Sequence, residues 1–194
     1  MKKLLFLLLP CWALVVSGQS WTKQYDHVND FHNGLALVEK DGKHGFVNES
    51  GKLIIPLLYE ESLGFSDGLA AVRMNNRWGY IDTLGKEIVS FVYQEVFSFK
   101  EGRAVVAKND RFGFIDRAGK QIVPPIYSYA ENFSEDLAAV SNDKGIWGYI
   151  NCDGKVIIGF QYAYAKSFQG GEAKVMKGGK WVYIDKHNKV LREE

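Results

Sequence analysis

Three residue series run along the chain in step. Phe stands at 31, 65, 99, 133 and 168, and Tyr at 25, 59, 93, 127 and 162. Gly stands at 45, 79, 113 and 148, with Val182 in the fifth slot. The step is 34 residues, with one step of 35 as each series crosses the fourth unit. A period of this length means stacked units, none of which can bury its apolar face alone. The units run over about 31–64, 65–98, 99–132, 133–167 and 168–194, and residues 25–30 match the end of a unit.

Each unit reads as an antiparallel β-meander of three or four short strands. In the second unit a strand starts after Gly68 and ends near Met74. Asn75-Asn76 makes a two-residue turn, and Arg77 to Asp82 returns. The matching pairs Asp41-Gly42, Asn109-Asp110 and Gly178-Gly179 all tolerate the positive φ that a type I′ hairpin demands. The fourth unit has Asp143-Lys144-Gly145 instead. A three-residue loop ending in Gly accounts for the 35-residue step without disturbing strand register. A second turn follows at Asp82 to Lys86, where an Asx side chain can bond the backbone and Gly85 takes the left-handed conformation. Asn188 fills that glycine slot in the last unit, and Asn tolerates the same region.

Pairing across the Asn75-Asn76 hairpin sets Val72 opposite Gly79 and Ala70 opposite Ile81, all on one face. That face is small and apolar in every copy. The other face carries Trp78 and Tyr80. Both faces being apolar predicts sheets covered on both sides, with the small face of one unit receiving the aromatic face of the next. Glycine turns (20 Gly, only 4 Pro) and 14% aromatic residues fit an all-β fold. Units stacked in this way can be left as an open array. A closed five-bladed propeller is the alternative, with the strand near Tyr25 completing the last blade and lying near Val190.

Met1-Lys2-Lys3, the apolar run Leu4 to Val16 and Val16-Ser17-Gly18 read as an export signal over 1–18, cleaved before Gln19. The run is too short to favour a spanning helix. Pro10 before Cys11 argues against lipidation. The domain is then 19–194, periplasmic, envelope-associated or secreted, with Cys152 its one cysteine and no internal disulfide to lean on. With 24 basic and 23 acidic residues spread along the chain, no field of one sign exists to hold nucleic acid.

The repeated pattern resembles the WG-repeat family of bacterial proteins. Arg77-Trp78-Gly79-Tyr80-Ile81-Asp82, followed by Gly85-Lys86 and Tyr93, carries the likeness most fully. Lys144 to Asn151 and Lys180 to Asp185 are similar, and Lys43 to Asn48 and Arg111 to Asp116 are weaker copies. The resemblance implies an envelope or secreted repeat protein whose units stack as an open curved array, with the closed propeller as the alternative, and it assigns no activity. His44, Phe112 and Val182 depart from it.

No phosphate loop, nucleophile elbow or metal-ligand spacing is present, so no cofactor and no metal is expected, and the chain is not read as an enzyme. The recurring Asp82, Asp116 and Asp185 are accounted for as turn caps. One candidate site remains, the in-phase series His44, Trp78, Phe112, Trp147 and Trp181. These rings can form a ladder for stacking sugar or peptide, or they can pack between repeats, which their apolar strand partners favour. The function expected is noncatalytic binding of a protein or a cell-surface glycan, with a purely structural envelope role as the alternative.

Overall fold

The computed structural model describes residues 20–194. The expected signal segment at 1–18, with Cys11, lies outside the described residues. The protein is five four-stranded antiparallel sheets, each built from four consecutive strands, spanning 27–59, 61–93, 95–127, 129–162 and 164–193. No α-helix occurs among the described residues, and one short 3₁₀ turn, Ser20–Gln24, precedes the first sheet. The sheets are out of phase with the sequence units. Each takes its first strand from the segment that follows the preceding Tyr of the 25, 59, 93, 127, 162 series.

The turns form where their residues dictate. Asn75 and Asn76 have φ of 53° and 59°, and Asn109 and Asp110 of 53° and 58°, as type I′ turns require. In the fourth unit Asn142 Oδ1 accepts from the backbone N–H of Lys144 and Ile146, and Gly145 has φ of 71°. At the second turn Asp82 Oδ1 accepts from Leu84 N–H and Lys86 N–H, both at 2.9 Å. Asn48, Asp116, Asn151 and Asp185 repeat this pair of bonds.

The WG glycine has a sharper reason than small size. The third and fourth strands of each of the first four sheets pair irregularly. Trp78 lies opposite Tyr93 and Tyr80 opposite Val89, so two residues on one strand face four on the other. The extra backbone arches over Gly79, where a Cβ would lie 2.6 Å from the Val89 carbonyl oxygen. Gly45, Gly113 and Gly148 meet the same obstacle at the same 2.6 Å. Val182 escapes it, because Val182 lies opposite Glu193 and Tyr183 opposite Arg192, with no arch between them.

Consecutive sheets interlock. Phe46, Ile55 and Tyr59 of the first sheet share a core cluster with Ala70, Val72 and Ile81 of the second. Tyr80, Val89 and Tyr93 of the second meet Ala104, Val106 and Ile115 of the third. The small face therefore receives the aromatic face of the preceding sheet. This corrects the order expected from sequence, since facing could be read from register but stacking direction could not. At each of the four interfaces a central-strand ring meets the Phe of the next sheet. The pairs are Phe46–Phe65, Tyr80–Phe99, Phe114–Phe133 and Tyr149–Phe168, with centroids 4.7 to 4.9 Å apart. Such pairs add roughly 0.5–1.5 kcal/mol each beyond area burial. The two tyrosines also donate to backbone carbonyls of the next sheet, at Phe97 and Lys166, both 2.7 Å away. Burial pushes both phenols well above their ordinary range.

A second set of links joins the turns between first and second strands. Gly102 N–H donates to Asp67, Glu135 N–H to Glu101 and Gly171 N–H to Glu135. No core cluster joins the fifth sheet to the first among the described residues. The strand His27–His32 pairs within the first sheet, and Tyr25 packs on Trp21. The outward face of the first sheet is covered by Trp21, whose ring crowds Gly51 and meets Phe31 edge-on. The outward face of the fifth sheet has Glu172 and Lys174 where the fourth has buried Leu137 and Ala139. Glu172 pairs with Arg192 and Lys174 with Glu194 there. The stack is open, and each end has its own cover.

Gly79→Ala is expected to lower stability by about 1–3 kcal/mol, the range for forcing atoms into a filled site. Val182→Ala should not show the same clash. Denaturant melts of the two variants check this, and a Gly79→Ala protein as stable as the parent would contradict the arch.

Candidate binding ribbon

One row of residues crosses every sheet at the level of the WG slot. In the second sheet it is Glu61, Arg73, Trp78 and Tyr93, each opposite the next. In the third it is Glu95, Ala107, Phe112 and Tyr127. In the fourth it is Tyr129, Ser141, Trp147 and Tyr162, and the fifth begins Tyr164, Met176, Trp181. Directly opposed side chains share a face, so each row is a strip of neighbouring groups. The strip is charged in the second sheet and neutral, largely aromatic, in the fourth.

Three of the five rings picked out by phase are buried. Trp78 and Phe112 are each 9% exposed and Trp147 is 7%. They sit in core clusters beside the series tyrosines Tyr93, Tyr127 and Tyr162. Trp181 is half-buried, with the Lys174 ammonium 5.0 Å from its ring centroid. His44 is half-buried, its Nε2 3.7 Å from Glu39 and its Nδ1 without a hydrogen bond among the described residues.

The structure joins Phe112, Trp147 and Trp181 through two rings that phase reasoning missed. Centroid distances run 5.1 Å from Phe112 to Tyr129, 5.6 Å to Trp147, 5.1 Å to Tyr164 and 5.8 Å to Trp181. Five rings thus form a continuous ribbon over the third to fifth sheets. His44 and Trp78 take no part in it. Tyr129 and Tyr164 are 41% and 37% exposed, so they are the accessible members. Their signal in the sequence is a fourth in-phase slot, two residues after Tyr127 and Tyr162, which holds Glu61 and Glu95 in earlier units. Burial raises the Tyr129 phenol, and the carboxylate of Glu131, the Tyr164 hydroxyl and the carboxylate of Glu95 raise it further.

No group of His, Cys, Asp and Glu side chains that could hold a metal exists among the described residues. A hollow of about 520 Å³ between the third and fourth sheets is lined by Arg103, Lys120, Asp153 and Cys152, among others. Asp116 on its wall is committed to its turn. Burial pushes the Cys152 thiol up, against the low pKa a reactive cysteine needs. No helix among the described residues is long and apolar enough to cross a membrane.

The chain is similar in fold to solved structures at low sequence identity. One is a eukaryotic initiation factor, 12% identical, with a TM-score of 0.56 over 88% of this chain and 56% of that one. Another is Hsv2p of Kluyveromyces lactis, 14% identical, with a TM-score of 0.54 over 86% of this chain and 63% of that one. The chain therefore spans roughly three-fifths of the length of these relatives. No curated protein matches the sequence. The family model of the WG containing repeat matches residues 18–43, 45–78, 78–111, 112–145 and 147–181. With five tandem matches over most of its length and a sheet built around each glycine arch, the chain belongs to the WG-containing repeat family.

Proposed function

We propose that the protein is an exported, noncatalytic recognition module that binds a protein or a cell-surface glycan through the aromatic ribbon. The observation that carries this reading is the pair Tyr129 and Tyr164. Both are more than a third exposed, yet each is held between two further rings. Rings fixed in this way lose little conformational freedom on contact and offer both apolar surface and a hydroxyl. Stacked repeats supply the extended surface on which such contacts add up. A purely structural role is the second reading, favoured by the burial of Trp78, Phe112 and Trp147.

The two readings separate by mutation. Trp147→Ala should cost about 3–5 kcal/mol, as for truncation of a large core residue. Tyr129→Ala with Tyr164→Ala should change the melting midpoint much less while removing capture of a partner from envelope extracts or of glycans on an array. A double variant that melts like the parent and keeps every partner would favour the structural role. Export has its own check. Mass spectrometry of exported protein should find the N-terminus at or near Gln19, and a retained Met1 or a lipid on Cys11 would overturn it.

A further inference from the structure

We propose that the exposed part of the ribbon, Tyr129 and Tyr164 with the carboxylates of Glu95 and Glu131, takes an arginine side chain from an extended basic segment of a partner protein. This rests on reading the ribbon as a recognition surface and names the chemistry of what it recognises. The second sheet shows what the row holds when the chain fills it. There Glu61 occupies the first-strand slot, and Arg73, directly opposite, ion-pairs with it beside Trp78. In the third sheet the first-strand slot is again an acid, Glu95, but the residue opposite is Ala107. In the fourth and fifth the row offers Tyr129 opposite Ser141 and Tyr164 opposite Met176. The third sheet keeps the carboxylate, the next two put a ring in its slot, and none of the three has the guanidinium.

The surroundings supply no replacement. Among the described residues neither the Glu95 nor the Glu131 side chain has an ion pair or a hydrogen bond. Glu131 stands two residues beyond Tyr129 on the same extended run, Glu95 holds the slot matching Tyr129 in the preceding sheet, and both carboxylates raise the Tyr129 phenol. Negative charge beside the π-faces of two aromatic rings attracts an organic cation, and a planar guanidinium both stacks on a ring and bonds a carboxylate. The fold holds one of its own guanidiniums in this manner at its far end. Arg192 lies 3.7 Å from the Tyr183 ring centroid and pairs with Glu172. A neutral glycan would use the rings and could donate hydroxyls to the acids, but it would leave their negative charge uncompensated, so charge complementarity selects the basic segment.

The test uses the full chain and an acetylated, amidated peptide of alternating arginine and glycine. The control is the same peptide with citrulline, which keeps the shape and removes the charge. Tryptophan fluorescence is the readout, since Trp147 and Trp181 both touch the exposed tyrosines. The arginine peptide should bind and the citrulline peptide should not. Glu95→Gln with Glu131→Gln should weaken binding roughly tenfold, the effect of losing two partly screened charge contacts. Tyr129→Leu with Tyr164→Leu should weaken it as well, and the exposed Glu49→Gln should leave it unchanged. Should the tyrosine variant fold poorly, the acid variant still decides. Equal affinity for the two peptides, or binding indifferent to the acid variant, overturns the proposal. Binding of a neutral oligosaccharide that depends on Tyr129 and Tyr164, with no arginine binding, overturns the cation but leaves the recognition reading standing. No binding of either probe, with partner capture unaffected by the tyrosine variant, removes both.

Discussion

The fold depends on one close approach, the passage of an outer strand over a residue that has no side chain. At Gly45, Gly79, Gly113 and Gly148 the neighbouring backbone stands where a Cβ would be. That approach lets the outer strand carry two extra residues. It also brings the Tyr of the 59, 93, 127, 162 series opposite the WG-slot ring. Strand alternation sets the ring-bearing face opposite the small face, and each of the first four sheets becomes a plug for the small face of the next. The fifth sheet, with Val182 in the slot, pairs its last two strands without an arch.

From the plug and socket follows a nearest-neighbour stack. Every core cluster spans at most two sheets, so cohesion is local and repeats four times. The ends then need separate treatment. Trp21 at one end does for Gly51 what Ile55, Val89 and Val123 of preceding sheets do for Gly85, Gly119 and Gly154. At the other end Glu172, Lys174 and Arg192 face outward in place of apolar side chains, and the cations lie over Trp181 and Tyr183. The turn links behave alike. The acids Asp67, Glu101 and Glu135 reach to the following turn, and the corresponding slot in the last sheet is Gly170.

Most of this architecture is legible in the residues because turns and alternation are local. Asn75-Asn76 and Asp82 to Gly85 fix the hairpins, and the hairpins fix which side chains share a face. What the sequence hides is relational. The stacking direction depends on how two sheets meet, and the arch over Gly79 depends on a bulge that no single residue announces. Sheet boundaries also escaped the reading, since period alone sets spacing and leaves phase free. Of the candidate site, the phase of the WG slot located Phe112, Trp147 and Trp181. It missed Tyr129 and Tyr164 because their slot is filled by Glu61 and Glu95 elsewhere, so no aromatic series exists to be seen. His44 and Trp78 share the phase but lie outside the ribbon, where the strip is charged.

Stability passes only between adjacent sheets of an open stack. Native-state hydrogen exchange measures this residue by residue, because local opening free energies follow the number of packed neighbours. The central strands of the second to fourth sheets have a neighbour on each side, whereas the fifth has a sheet on one side only. Amides of Phe114 and Ile115 should exchange near the global limit, and those of Tyr183 and Ile184 well before it. Equal protection of all five sheets, as a closed ring would give, would contradict it.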